Sequence, residues 1–170
     1  MKLSRTKNDV ETIAREVLLH AEDLSEGAVW LSEARKMTAE DVADFAVLSG
    51  DHDPLHENEG GVSPFGEPVV HGLLGLSVMA GLSSERPNVA TLALVAVDSW
   101  EFLAPIFFDD EIHVRTEVAS MQPHGRRAAK IVWFRQLINQ SGRVVQQGRL
   151  TTLVANRARA ARQNRPGKPR

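Results

Sequence analysis

Apolar residues recur at helical spacing through residues 9–22, at Val10, Ile13, Ala14, Val17, Leu18 and Ala21, with Asn8 or Asp9 placed to cap the first turn. The pattern predicts a short leading helix outside the core fold, broken by the acids and glycine between Glu22 and Gly27. Gly27 to Met37 reads as a strand. A second helix opens at Thr38, which with Asp41 makes a capping-box pair, Asp standing where Glu or Gln is usual; Val42, Phe45, Ala46 and Leu48 supply its apolar face. From Ser49 to Pro68, Gly, Pro, Asp, Asn and Ser follow in quick succession and predict a long irregular loop. Loops of that length in compact domains usually carry function.

His71 to Ser84 is apolar nearly all round, through Leu73, Leu74, Leu76, Val78, Met79 and Leu82, and is too long for one typical strand. It predicts a buried helix, whose glycines Gly72, Gly75 and Gly81 let a sheet approach closely. After it the period changes to two. Ile112, Val114, Thr116 and Val118 alternate with His113, Arg115 and Glu117, and strands are also predicted over 91–103, 128–138 and 143–154. Turn residues separate them at Asp109 and Asp110, Pro123 to Gly125, and Asn139 to Gly142. A helix followed by four antiparallel strands predicts an α+β fold with a curled sheet around one helix.

Composition narrows the class without changing this order. The chain has 170 residues, 42% hydrophobic and 25% charged, as expected for one soluble globular domain. The absence of cysteine excludes a disulfide scaffold, a thiolate metal site and a cysteine nucleophile, and fits a cytoplasmic address. No apolar stretch is long enough to span a bilayer, and the N-terminus lacks the apolar core of a signal peptide. The formal charge of −2 hides six basic residues and no acid over residues 156–170, which leaves −8 on residues 1–155. Rich in Arg, Gln, Asn and Pro and without interleaved aromatics, this tail reads as a disordered, solvated end, which argues against a nucleic-acid partner. Trp30, Trp100 and Trp133 read as core residues, and Arg126, Arg127 and Lys130 as a solvated hairpin end.

The candidate chemistry lies in two neighbouring segments. Ser49-Gly50-Asp51-His52-Asp53-Pro54-Leu55-His56 puts two carboxylates and two imidazoles on a loop stiffened by Pro54. Asp51 and His56 are close enough in sequence for a turn to aim both at one volume. Glu67-Pro68-Val69-Val70-His71-Gly72 then enters the buried helix, where Gly72 offers an unhindered backbone N–H backed by the helix dipole, suited to a developing oxyanion. Taken singly, a loop Asp is usually an Asx turn and a lone His a polar surface or core residue. Asp51, His52, Asp53, His56 and His71 also contain a two-His, one-carboxylate iron set, but lack the helical His-x-x-x-His spacing that would fix it, so no metal is expected.

Ser49-Gly50-Asp51-x-x-Pro54-Leu55-His56 followed by Phe65-Gly66-x-Pro68-x-Val70-His71-Gly72-Leu73 resembles the MaoC-like hydratase/dehydratase family, including its (R)-specific enoyl-CoA hydratases. Trp100-x-Phe102-x-x-Pro105-Ile106-x-x-Asp109-Asp110 and Asn139-Gln140-x-Gly142-x-Val144-Val145 are also similar, so that the resemblance runs from about Thr38 to Val154. It implies a hot-dog fold, an antiparallel sheet wrapped around a central buried helix, over residues 28–155, between an N-terminal extension (1–27) and the tail (156–170). It implies that Asp51 and His56 are the catalytic dyad, that Gly72 N–H polarises a thioester carbonyl, and that Ser49, Gly50, Pro54 and His71 support them. The implied reaction is reversible syn addition of water to a trans-2-enoyl thioester of CoA or acyl carrier protein, giving the (R)-3-hydroxyacyl thioester, with no cofactor. Dimers or dimers of dimers are implied as well. The chain departs from the family with Asp53 for a usual Asn, a shortened spacer between His56 and His71, and Asp109-Asp110 for a Gly-Asp turn. An acyl-CoA thioesterase on the same fold, and a non-catalytic acyl-thioester-binding subunit, are the competing readings.

Overall fold

A computed structural model describes residues 17–57 and 63–157 of the chain. The elements are β1 (Val29–Leu31), β2 (Arg35–Lys36), α1 (Ala39–Ser49), α2 (Gly72–Glu85), β3 (Thr91–Phe102), β4 (Glu111–His124), β5 (Ala128–Asn139) and β6 (Val144–Ala155). One antiparallel sheet has the strand order β1-β4-β5-β6-β3, with β2 also pairing β4. Helix α2 lies against its inner face, as the α+β hot-dog expectation requires. No helix among the described residues is long and apolar enough to cross a membrane.

The alternation read in β4 sets which face is inside. Ile112, Val114, Thr116 and Val118 are buried, and the residues between them are partly exposed. Residues Leu74, Val78 and Met79 of α2 pack with Ile112, Val114, Leu137, Val145 and Leu150 in the main core, which Met37 and Val42 complete from the α1 side. Gly75 lets helix and sheet meet: a Cβ there would overlap Nε2 of Gln146 and stand 3.0 Å from Cδ1 of Ile106. A second cluster joins Ala21 and Leu24 to Val118, Ile131, Trp133 and Val154.

Three expectations change. The strand from Gly27 to Met37 is two short strands, because Ser32 interrupts the ladder: its Oγ accepts from Val114 N–H while its own N–H donates to Val114 O. Helix α2 is not buried all round; Leu73, Ser77, Ala80 and Gly81 face outward. The leading helix falls largely on residues outside the described set. Where it reaches residues 17–20 the backbone is not helical, since Leu19 N–H donates to Asn88 O and Leu19 O accepts from Ala90 N–H, drawing the segment into a bridge with Val89. A 3-10 turn follows at Ala21–Asp23. At the other end Asn156 N–H donates to Arg127 O, and Arg157 pairs with Asp23; the rest of the basic tail lies outside the described residues.

The start of α1 is as read. Thr38 Oγ1 accepts from Asp41 N–H, and Asp41 Oδ2 accepts from Thr38 N–H at 3.0 Å. Burial works against ionisation of Asp41, but the Thr38 N–H and hydroxyl and the Arg35 guanidinium outweigh it and hold the carboxyl below its ordinary 3.8. Because the folded pKa is the depressed one, this stabilisation is complete above the unfolded value and is lost as pH falls through the folded one. Thr38→Ala is expected to cost about 1 kcal/mol at neutral pH, with the deficit in thermal unfolding narrowing below pH ~4.

Candidate active site

The predicted loop is built by local side-chain capping. Gly50 ends α1 in the left-handed region at φ 76°, where glycine is favoured. Ser49 Oγ donates to Phe45 O at 2.6 Å and accepts from Asp51 N–H at 3.2 Å, turning the chain towards Asp51. Asp53 Oδ1 then accepts from Leu55 N–H and caps a single 3-10 turn, Pro54–His56, in which Pro54 takes the first position. His56 therefore projects from a turn set by Ser49, Gly50, Asp53 and Pro54.

The second segment clamps onto the first. His56 Nδ1 lies 2.6 Å from Val69 O, and His71 Nε2 lies 3.0 Å from Asp51 O. Carbonyl oxygens only accept, so each of these nitrogens donates its N–H, and in the neutral tautomer this selects, His56 Nε2 and His71 Nδ1 are the acceptors. Val69 N–H returns a bond to Leu55 O at 3.2 Å. The His56 and His71 rings stack at 3.7 Å with 25° between their planes, and Phe45 leans on His71 at 5.1 Å. His71 is 1% exposed and Asp51 is exposed.

Asp51, His56 and His71 line one cleft of about 450 Å³, together with His52, Asp53 and Glu57. Its apolar wall is Val42, Ala43, Ala46 and Val47 of α1, and Phe108. His52 and Asp53 are exposed, yet stand at this cleft. Gly72 is not among the lining residues; it is the next residue after His71, at the start of α2, and a Cβ there would stand 3.0 Å from Cε1 of Phe102. A carboxylate and two imidazoles are thus brought together from two chain segments, with the first turn of α2 beginning one residue beyond His71. One nitrogen or oxygen from each of Asp51, His56 and His71 lies within 4.8 Å of the others. A metal fits this set poorly, because stacked rings hold their in-plane lone pairs in near-parallel planes with centroids 3.7 Å apart, and a tetrahedral or octahedral ion needs them convergent on one point.

Sequence reasoning missed Gln146. It is 2% exposed, its Nε2 donates to Gly72 O at 3.1 Å and its Oε1 accepts from Trp100 Nε1 at 3.1 Å. It ties the first turn of α2 to the sheet. The available signal was a glutamine following Val144 and Val145 in a strand with inward apolar positions.

Three comparisons bear on this geometry. The MaoC like domain matches residues 23–134. An (R)-specific enoyl-CoA hydratase of Rhodospirillum rubrum is 30% identical over 148 residues, 85% of this chain and 98% of that protein. A 3-hydroxybutyryl-CoA dehydratase of Methylorubrum extorquens is 31% identical over 114 residues, 65% of this chain and 71% of that protein. Among solved structures, the MaoC-like dehydratase from Rhodospirillum rubrum aligns with a TM-score of 0.68 at 27% identity, covering 82% of this chain and 98% of that one. The matched segment spans both clamped loops, α2 and the sheet through β4 and much of β5, and on that ground the chain belongs to the MaoC-like domain family of hydratases and dehydratases.

Proposed function

We propose that the protein adds water reversibly to a trans-2-enoyl-CoA thioester to give the (R)-3-hydroxyacyl thioester, with Asp51 and His56 as its acid–base pair. The observation that carries this reading is the His56 tautomer: with Nδ1–H committed to Val69 O, Nε2 is a proton acceptor within the cleft that Asp51 also lines. Water held between the Asp51 carboxylate and His56 Nε2 loses a proton as its oxygen bonds to C3, and the pair returns that proton to C2 on the same face. Negative charge meanwhile gathers on the thioester oxygen. Gly72 N–H, in the first turn of α2 where N–H groups have no intrahelical partner, would stabilise that charge with the helix dipole behind it. Gln146 and Phe102 fix that turn from the sheet side.

The decisive experiment follows the conjugated enoyl absorbance of short-chain trans-2-enoyl-CoA while free thiol is measured in parallel. Loss of the double bond without thiol release is the expected result. Thiol release would identify a thioesterase instead, and binding without any chemical change a non-catalytic subunit.

The same reading includes a homodimer. Strand β3 is an edge of the sheet, and Leu94, Val95, Val97 and Phe102 on it are exposed, as is Leu73 of α2. An unpaired apolar edge of this kind is completed by a second copy of itself. Size-exclusion chromatography with light scattering is expected to return a dimer or a multiple of it, and Val95→Lys, which places a charge on that edge, to shift the population towards monomer.

A further inference from the structure

Arg135 breaks the rule that fills the rest of β5. The inward row of that strand runs Ile131, Trp133, Arg135, Leu137, and the arginine is 9% exposed. Among the described residues no carboxylate forms an ion pair with it. Its Nε has no hydrogen-bond partner, and Nη1 meets the thioether sulfur of Met79 at 3.9 Å. Directly opposite on β4, Thr116 is fully buried and its hydroxyl also has no partner. Burial draws the Arg135 pKa down to about 10, which leaves the side chain a cation at neutral pH.

A buried cation is ordinarily paired, because leaving it alone in a low-dielectric interior is costly. Beside Arg135 is a cavity of about 100 Å³ at the C-terminal end of α2, lined also by Ser83, Ser84, Val89, Thr91 and Trp133. A single water needs only ~10–15 Å³ of such space, so the cavity admits a larger group. The hydroxyls of Ser83 and Ser84 donate to Met79 O and Gly81 O, and Arg135 is the one charged side chain among the lining residues. Its planar fork suits a carboxylate bidentately.

We propose that this cavity binds a small carboxylate, held by the guanidinium of Arg135. The site is separate from the catalytic cleft: Ser83 is eleven residues along α2 from Gly72, ~16 Å at about 1.5 Å per residue. It stands whether or not the hydratase reading holds, because its readout is binding.

The test titrates the intact protein with sodium propionate against sodium chloride at equal ionic strength, following the indole N–H resonances of its three tryptophans. Trp133, whose ring lies 5.6 Å from the Arg135 guanidinium carbon, is expected to shift saturably with propionate and not with chloride, while Trp30 stays in place. The melting temperature should rise over the same range. Arg135→Met, an apolar chain of similar reach, is expected to abolish both responses. No saturable shift in the wild-type protein would overturn the proposal, as would an equal shift in Arg135→Met. If that variant fails to fold, the wild-type titration alone decides, since a response shared by chloride would mean general salt effects and no site.

Discussion

Replacing Asp51 with Asn is expected to lower the turnover of a trans-2-enoyl-CoA by about 10²–10⁴-fold, the range associated with losing a positioned acid–base group. The substitution keeps shape and removes only charge and basicity. Asp51 Oδ1 accepts from Asp53 N–H at 3.3 Å, a bond that an Asn oxygen can also accept. His71 holds the main-chain carbonyl of Asp51 and so is indifferent to the side chain. Asp51 is exposed, so no buried partner is left unpaired and the melting temperature should barely move. The loss should fall on kcat with KM little changed, because in the proposed reaction the carboxylate acts on water in the transition state and contributes little to holding the thioester. Full activity in this variant would sink the dyad assignment.

Gly148→Ala should have the largest effect on the fold. Gly148 sits in β6 opposite Trp100 of β3 and Arg135 of β5, and a Cβ there would overlap the carbonyl oxygen of Ser99 and stand 2.5 Å from Cε3 of Trp100. The obstacle is backbone as well as side chain, so no rotamer relieves it, and β3 must part from β6 near its existing register shift between Val97 and Ser99. A cost of about 3 kcal/mol, the upper end for overpacking, lowers the melting temperature of a domain this size by about 10 °C. Gly81 on the outer face of α2 provides the contrast, since nothing lies within 4 Å of a Cβ placed there. Gly81→Ala should stabilise by up to about 1 kcal/mol through helix propensity.

These two glycines mark where local pattern stops being informative. The Thr38 cap and the alternation in β4 depend on neighbours within a few residues and were legible in the sequence, as was the presence of a loop from Ser49, though not the 3-10 turn at Pro54–His56 within it. The stacking of His56 on His71 was not, because it depends on two segments meeting. Nor could periodicity show which side of α2 faces out, since Leu73 and Leu74 read alike while one is 61% exposed and the other 8%. Gln146 and Arg135 belong to the same class: each is an ordinary polar residue in a strand until register places it inside. Asp109 adopts φ 68°, a left-handed conformation that Asp tolerates better than most side chains and that its place in a turn requires.

Three bonds close the chain on itself at the candidate loop: His56 to Val69, Val69 to Leu55, and His71 to Asp51. The span between them, residues 57–68, joins two ends already held together, so its length costs little closure entropy to change. Insertions, deletions or wholesale exchange of that span should therefore leave Asp51, His56 and His71 in register. For an engineer, this is where a foreign segment can be grafted without disturbing the clamp between the two loops, and for natural variation it is where relatives can diverge in length and sequence at little cost to that clamp.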